Sequence, residues 1–192
     1  YWEDKNSANP PQLIRMNDFP CLAIDRSGGD WDGTIYMVFG SKGQTPDRAD
    51  IHFSKSTNGG LNWSTPVRIN DDLTSTDQWN TWISVDQCGL INVVFYDSRN
   101  DPNNQLTEVW VAQSIDGGES FTNFRVSDIA FIPYPIVGGF IANGYMGDYI
   151  GIASSIGKAY SCWMDNRNAG IYQAYVDILD TYQADLLTLA NQ

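Results

Sequence analysis

Basic side chains, histidine and long apolar runs are all scarce in this chain of 192 residues. The 11 Lys and Arg residues stand against 23 Asp and Glu, which leaves a formal net charge of −12. Because phosphate groups are bound by clustered Lys and Arg, this balance argues against a nucleic-acid partner and against anionic membrane surfaces. His52 is the single histidine, which excludes a histidine-rich metal site. No stretch approaches the roughly 20 apolar residues of a membrane helix, so we expect no membrane span.

Cysteine is also rare, and the three that are present are widely spaced, at Cys21, Cys88 and Cys162. Their spacing matches no zinc-binding pattern, and an odd number of cysteines cannot pair completely within one chain. We expect three small buried apolar side chains, with one disulfide as the alternative. The cysteines alone therefore do not fix the redox compartment.

Aromatic residues and glycine are abundant, with 7 Trp, 10 Tyr, 8 Phe and 17 Gly, and short segments of the chain recur. The recurring segments are 14–18, 67–71 and 124–128; 56–63 and 114–121; and 95–99 and 163–167. The first two patterns agree on one unit of about 55 residues, a period typical of repeat architectures.

Each unit has the pattern of four short strands separated by hairpin turns. In the first complete unit, residues 21–25, 34–39, 50–56 and 67–70 are apolar or alternating, and glycine-rich turns lie between them. One small sheet cannot bury both faces, whereas sheets stacked face to face around an axis can. The repeat therefore predicts an all-β fold, a β-propeller of four-stranded antiparallel blades. A many-stranded β-sandwich is the alternative.

The repeat also divides the chain into blades. We expect residues 1–18 to supply the last strand of a preceding blade, and residues 19–72 and 73–128 to form two complete blades. Residues 129–178 then form a third, incomplete blade, and residues 179–192 a C-terminal tail. About three blades fall below the usual minimum of about four for a closed ring. We therefore expect a fragment of a longer propeller, or a half-ring of a six-bladed propeller that pairs with a second copy.

Two of the recurring segments carry a turn motif. Ser56-x-Asn58-x-Gly60-x-Asn62-Trp63 and Ser114-x-Asp116-x-Gly118-x-Ser120-Phe121 resemble the Asp-box, or BNR repeat, of sialidases and other secreted propellers. The first copy has Asn where the family has Asp and Thr, and the second has Ser for Thr. In such a turn a short acceptor side chain caps backbone amides, Gly takes a positive φ, and the ring lies beneath. The motif predicts a structural role for Ser56, Asn58, Gly60, Trp63, Ser114, Asp116, Gly118 and Phe121.

Chain topology then sorts the loops onto two rims. In a four-stranded meander the first and third turns lie on one side, and the second loop and the links between blades lie on the other. The Asp-box turns mark one rim. The opposite rim collects acids, rings and arginines, which suit sugar binding. The ligand-binding residues predicted there are Asp97, Arg99, Asp148, Tyr149, Asp165, Arg167 and Trp79, with Trp82 on the same rim. For the two Asp-x-Arg pairs, an ion pair or turn cap within the blade is the alternative.

The link after the first complete blade offers oxygen ligands for calcium. Asp71, Asp72 and Asp77 are close in sequence, although their spacing differs from that of an EF-hand loop. A solvated acidic loop is the default interpretation. Bound Ca²⁺ is the alternative, and it would relieve the repulsion implied by the net charge. No other feature of the sequence requires a cofactor.

The span from Phe19 to Ile178 resembles bacterial sialidase-like repeat proteins, as does the segment Gly147–Gly151 followed by Trp163–Arg167. The resemblance implies a secreted or cell-surface propeller whose partners are glycans or surface glycoproteins. Because the sequence starts at Tyr1 and has no signal peptide, we expect a processed or excised piece.

The catalytic pattern of sialidases is not identifiable, so the catalytic residues stay unassigned. A sialidase would need three arginines, a Tyr activated by Glu, an Asp acid/base and an Arg-Ile-Pro motif, which does not occur here. Two functions remain. The favoured one is a noncatalytic module that binds glycans or protein partners through the rim opposite the Asp-boxes. The alternative is an exo-sialidase-type glycoside hydrolase whose active site is completed by missing blades or a second copy. A purely structural scaffold is a third hypothesis, because fold does not fix function.

Overall fold

The computed structural model describes residues 19–41, 49–134, 146–168 and 170–181 in full, and the backbone of residues 2–7 and 12–16. The strands are β1 (Trp2–Ser7), β2 (Gln12–Met16), β3 (Cys21–Ile24), β4 (Ile35–Ser41), β5 (Asp50–Ser56), β6 (Val67–Arg68), β7 (Gln78–Val85), β8 (Ile91–Asp97), β9 (Glu108–Ser114), β10 (Thr122–Arg125), β11 (Gly151–Ser155), β12 (Lys158–Asn168) and β13 (Ile171–Asp180). In these ranges no helix is long and apolar enough to cross a membrane.

The strands form antiparallel meanders in chain order. The first sheet contains β3–β6, the second sheet β7–β10 and the third sheet β11–β13, while β1 and β2 pair as a separate hairpin. The predicted all-β class with antiparallel sheets is confirmed. For residues 1–18 the sequence predicts one strand, and the described part of this segment contains two. The predicted tail lies outside the described residues from position 182 onward.

Turns end the strands at the glycine and acidic signals of the sequence. Gly60 and Gly118 have φ values of 87° and 82°, in the left-handed region that residues with a Cβ rarely adopt. Asp86 caps the turn between β7 and β8, because its Oδ1 accepts hydrogen bonds from the backbone N–H of Cys88 at 2.8 Å and of Leu90 at 3.0 Å. Local side chain–backbone bonds of this kind fix the hairpins.

Two apolar layers hold the three sheets together. Residues of the first and second sheets share one buried cluster, and residues of the second and third sheets share another. β8 supplies both, because Ile91, Val93 and Phe95 join the first cluster while Val94 and Tyr96 join the second. The side chains of a strand alternate between its faces, so a strand buried on both faces is apolar throughout. The second sheet is therefore packed between its two neighbours.

The first strand of each sheet lies beside the first strand of the next, since β7 contacts both β3 and β11. We call this side of the stack the inner edge. Because the three sheets share it, they are arranged around a common line, and any site that draws on all three sheets lies along it.

The cysteines depart from the prediction. Cys88 and Cys162 are exposed and Cys21 is partly buried, and all three are free thiols. The expectation of buried side chains is wrong for the first two. Cys88 lies in the turn after β7. Cys162 alternates with the buried Trp163 along β12, and so faces away from the second sheet. No disulfide joins them.

Candidate functional site

The loops lie at two opposite ends of the stacked sheets. The end with the turns after β5 and β9 is called the Asp-box rim, and the end with the β8–β9 loop and the links between sheets is called the link rim. At the Asp-box rim, Lys55 Nζ donates to the carbonyl oxygen of Gly117 at 2.8 Å and pairs with Glu119 at 2.6 Å. At the link rim, Arg99 pairs with Asp71. Both rims therefore join neighbouring sheets.

The turn after β9 is capped by side chains. Ser114 Oγ donates to Asp116 Oδ1 at 2.7 Å and accepts from the backbone N–H of Gly118 at 2.9 Å. Asp116 also accepts backbone and side-chain hydrogen bonds from the end of the turn. The ring of Phe121 packs edge-on against buried Phe53 of the first sheet, with centroids 5.0 Å apart. This turn thus anchors the second sheet to the first.

The turn after β5 repeats the arrangement with an amide in place of the carboxylate. Ser56 Oγ donates to Asn58 Oδ1 at 3.0 Å and accepts from the backbone N–H of Gly60 at 2.9 Å. Asn58 Oδ1 also accepts from the backbone N–H of Asn62 at 2.9 Å. Trp63, by contrast, keeps 38% of its surface exposed. Both turns are held by their own side chains, which is a structural role.

Arg99 on the link rim joins the first and second sheets. Its Nε donates to Asp97 Oδ2 at 2.7 Å, and it pairs with Asp71 in the link between the sheets. Its Nη2 donates to Asn123 Oδ1 at 2.9 Å, and its guanidinium lies 4.0 Å from the ring centre of Trp110. Only 9% of the arginine side chain is exposed. The cation is therefore surrounded by protein partners.

Asp97 is completely buried beneath this arginine. Burial raises the pKa of Asp97 to about 6, although the charge and hydrogen bonds of Arg99 and a hydrogen bond from Gln78 act in the opposite direction. Removal of a carboxylate from water disfavours its charged form. Burial of the charged carboxylate therefore costs free energy at neutral pH, and the ion pair with Arg99 offsets part of that cost.

Arg167 repeats the arrangement between the second and third sheets. Its Nη2 donates to Asp165 Oδ2 at 2.6 Å, and it pairs with Asp128 at the end of the second sheet's unit. Its guanidinium lies 4.1 Å from the ring centre of Tyr175. The hydrogen bonds to Asp165 raise the pKa of Arg167 against the effect of desolvation. The second arginine is therefore also neutralised by two carboxylates.

The two Asp-x-Arg pairs are ion pairs, and each also reaches an acid that ends the preceding repeat. Their binding of a ligand stays a prediction. Arg99 lies at the edge of an open cleft of about 550 Å³ on the link rim. The cleft is lined by Arg68, Leu73, Thr74, Ser75, Thr76, Arg99 and Pro102.

The three acids predicted for calcium do not converge. Asp71 is paired with an arginine, as described above. Asp72 Oδ1 accepts from Asn70 Nδ2 at 2.7 Å, and Asp77 Oδ2 accepts from Asn104 Nδ2 at 2.6 Å. Across the described ranges, no group of three or more His, Cys, Asp or Glu side chains could hold a metal ion. Protein donors already engage each of these carboxylates, and calcium binding by them stays a prediction.

A small pocket opens at the inner edge, beside the link rim, and we call it the inner pocket. Its volume is about 30 Å³. It is lined by Phe19, Cys21, Asn80, Thr81, Trp82, Asp148, Tyr149 and Ile150. Three rings around it are exposed, namely Phe19 at 55%, Trp82 at 39% and Tyr149 at 71%. Thr81 is buried, and its Oγ1 has no hydrogen-bond partner among the residues that the structure describes.

A bulge in β7 shapes this pocket. The pairing of β7 with β8 shifts register between Trp79 and Thr81, and Asn80 between them has a φ of 48°. Asn tolerates this left-handed conformation better than most residues. The extra residue reverses the alternation of side chains, so Trp79 stacks on Tyr96 in the core with centroids 5.4 Å apart, while Trp82 reaches the pocket. Such bulges are common beside functional sites.

The structure brings together two of the predicted ligand-binding residues, Asp148 and Tyr149, in the inner pocket. Trp79 is fully buried and has no surface for a ligand, whereas Trp82 is partly exposed and lines the pocket. The bulge that brings both rings to the same side of β7 has no signature in the sequence beyond an Asn in a strand. The pocket also contains residues that the sequence pattern does not single out, namely Phe19, Asn80 and Thr81.

Comparisons with known proteins bear on this architecture. No protein-family model matches the chain, and no curated protein matches it. The chain is similar to an α-L-arabinanase of Penicillium chrysogenum complexed with arabinobiose, with a TM-score of 0.62 and 11% identity over 94% of this chain and 51% of that one. It is also similar to the Hadza microbial sialidase Hz136, with a TM-score of 0.56 and 14% identity over 85% of this chain and 35% of that one.

A third similar structure is the GH93 α-L-arabinofuranosidase of Fusarium graminearum in complex with arabinobiose, with a TM-score of 0.56 and 13% identity over 95% of this chain and 54% of that one. This chain forms part of a β-propeller. The likeness to these propeller structures and the stacked antiparallel meanders confirm the predicted fold class. The partial propeller spans between 35% and 54% of the length of these three proteins.

Proposed function

We propose that this partial propeller is a noncatalytic module that binds glycans at the inner pocket on its link rim. The observation that carries the proposal is the ring of exposed aromatic side chains around polar groups. Phe19, Trp82 and Tyr149 surround buried Thr81 and the carboxylate of Asp148. Propellers place binding residues from several sheets around the axis where those sheets meet.

The chemistry of these side chains suits sugars. The ring of Trp or Tyr has an apolar face, on which the CH groups of a sugar ring can stack. The carboxylate of Asp148 accepts hydrogen bonds from hydroxyl groups, and the hydroxyl of Thr81 can both donate and accept. A ligand hydroxyl at Thr81 would satisfy an atom that otherwise lacks a partner among the described residues, and an unsatisfied buried polar atom is costly.

The similar structures support a carbohydrate ligand. The arabinanase and the arabinofuranosidase are each described in complex with arabinobiose, a disaccharide. These proteins share the fold of the present chain, and sugar binding by that fold is the property that we carry over to it.

A glycoside hydrolase is the alternative, and the names of the similar structures favour it. Glycosidases of the common type use two carboxyl groups about 5–9.5 Å apart across the scissile bond. The described lining of the inner pocket supplies one, Asp148. A second would have to come from further blades or a second copy. Turnover of fluorogenic sialosides or arabinofuranosides by the chain alone would establish the alternative and overturn the noncatalytic assignment.

The exposed apolar side chains on the outer face of the third sheet are an argument for a further blade. Tyr160, Val176 and Ile178 are exposed there, and together with Cys162 they form an apolar surface. A groove of about 530 Å³ runs across this face to Trp82. We propose that another sheet covers it, supplied by the same protein or by a second copy. A dimer mass in light scattering that Val176→Glu returns to the monomer mass would identify a second copy as the source.

A secreted or cell-surface location is part of the same proposal, with glycans or surface glycoproteins as partners. Its support is the likeness of Ser56–Trp63 and Ser114–Phe121 to BNR repeats, which secreted propellers carry. The hydrogen bonds of both turns agree with that likeness. Detection of the native protein in culture medium or on intact cells would test the location.

Glycan binding is tested by calorimetric titration of oligosaccharides selected on a glycan array. Trp82→Ala should weaken binding at least about tenfold, because a stacked ring of this kind is a typical hot spot. Trp63→Ala is the matched control, since this ring is equally exposed, at 38%, but lies on the Asp-box rim. Equal affinities of the two variants, or no binding of any oligosaccharide, would refute the proposal.

A further inference from the structure

We infer that the inner pocket takes an uncharged glycan and discriminates against sugars that carry a carboxylate, an inference that rests on the proposed glycan binding. The first observation is the charge of the lining. Among the described lining residues, Asp148 is the one Asp, Glu, Lys, Arg or His, so the lining offers a carboxylate and no cation. The others are neutral polar, thiol, aromatic or aliphatic side chains.

Two arginines among the described residues of the link rim are already neutralised by carboxylates of the protein. Arg99 is held by Asp97 and Asp71, and the Arg99 side chain is 9% exposed. Arg167 is held by Asp165 and Asp128 and is 10% exposed. To grip a ligand carboxylate bidentately, either guanidinium would have to leave a buried aspartate uncompensated, which is strongly unfavourable.

Arg68, which lines the neighbouring cleft, is also engaged by protein groups. Its Nη1 lies 3.3 Å from Asp50 Oδ1, and its Nη2 donates to the carbonyl oxygen of Asp72 at 2.9 Å. The formal net charge of −12 adds a field that repels anions from the whole surface. The three arginines described above are therefore engaged by protein partners, and the described lining of the inner pocket contains no cation that could bind an acidic sugar.

The polar atoms of the pocket suit hydroxyl groups instead. The hydroxyl of Thr81 is buried without a partner among the described residues, and a sugar hydroxyl can both donate to it and accept from it. The pocket's volume of about 30 Å³ is enough for a group of about the size of one water molecule. One hydroxyl or hydroxymethyl group thus enters, while the sugar ring stays outside against Trp82 and Tyr149.

The test compares ligands of matched size that differ in charge. Digalacturonic acid and its dimethyl ester are titrated into the protein, next to an array of neutral oligosaccharides. We expect the ester or a neutral oligosaccharide to bind at least tenfold more tightly than the free acid, with little change between low and high salt. We expect Asp148→Asn to narrow that ratio, since it removes the negative charge from the pocket.

The titrations distinguish failure of the charge discrimination from failure of glycan binding itself. Equal or tighter binding of the free acid, or of sialosides, would overturn the inference and leave the proposed glycan binding standing. Absence of binding to acidic and neutral glycans alike would overturn both. If Asp148→Asn left the ratio of neutral to acidic affinities unchanged, repulsion by the Asp148 carboxylate would not be the cause of the discrimination, and the inference would fail.

Discussion

Replacement of Gly118 by alanine is expected to destabilise the protein through a contact between two sheets. An ideal Cβ at Gly118 would lie 2.4 Å from Cζ and 2.5 Å from Cε1 of Phe53, and the φ of 82° is itself unfavourable for alanine. Phe53 is almost completely buried, so its ring has little room to move. The backbone strain costs about 1–2 kcal/mol. Overpacking adds about 1–3 kcal/mol, so the free energy of unfolding should fall by roughly 2–5 kcal/mol.

Gly60 is the matched control for this variant, because it occupies the same place in the first turn. Its φ is 87°, but the nearest atom to an added Cβ is Ile35 Cδ1 at 4.0 Å. Gly60→Ala should therefore cost the backbone strain alone, about 1–2 kcal/mol. Urea denaturation followed by tryptophan fluorescence measures both, and melting should fall by about 2–4 °C per kcal/mol. If both variants lost the same stability, the second turn would not lie against the first sheet as described.

Three further changes test other contacts. Tyr96→Phe should lower the free energy of unfolding by about 1–3 kcal/mol in urea titrations, because the Tyr96 hydroxyl donates to the carbonyl oxygen of Met164 at 2.8 Å and accepts from its N–H at 3.1 Å; an unchanged midpoint would contradict the contact between sheets. Asp97, with its raised pKa of about 6, protonates more readily folded than unfolded. The free energy of unfolding of the wild type, relative to that of Asp97→Asn, should therefore fall by about 3 kcal/mol as the pH rises from 4 to 6. Denaturation at each pH measures this difference, and parallel pH profiles of the two proteins would refute the raised pKa of Asp97. Asp116→Ala removes the cap on the backbone N–H of Ser120 at 3.0 Å and should cost about 0.5–2 kcal/mol by the same assay, whereas Ile115→Ala on the exposed neighbour should cost little.

Local signals account for the success of the strand predictions. The bounds Asp50–Ser56, inferred from alternation and the turn that follows, are those of β5. The turn chemistry is contained in a few adjacent residues, as the capping by Ser114 and Asp116 shows. A structure decided by neighbours in sequence can be read from the sequence.

The position of Trp79 could not be predicted in this way. Simple alternation along β7 places Trp79 and Trp82, three residues apart, on opposite faces. The bulge at Asn80 puts both on the side of the third sheet, one in the core and one at the pocket. Because a bulge depends on pairing with a neighbouring strand, the strand's own pattern does not reveal it.

The arginines show a signal that is present in the sequence but needs the fold to interpret. The Asp-x-Arg spacing of Arg99 and Arg167 allows ion pairs with the aspartates two positions earlier, and those pairs exist. Their second partners, Asp71 and Asp128, lie 28 and 39 residues away. Both acids end a recurring segment, and both arginines lie in another one. The sequence therefore holds both partners of each ion pair between sheets in recurring segments, but only the fold shows that these segments meet.

The most direct test of the glycan-binding account is the location of ligand-induced shifts in NMR spectra of ¹⁵N-labelled protein. A neutral oligosaccharide should shift the indole N–H of Trp82 and the backbone amides of Thr81 and Tyr149, which line the inner pocket. Shifts confined to the Asp-box rim, around the indole N–H of Trp63 and the amide of Gly118, would contradict the account.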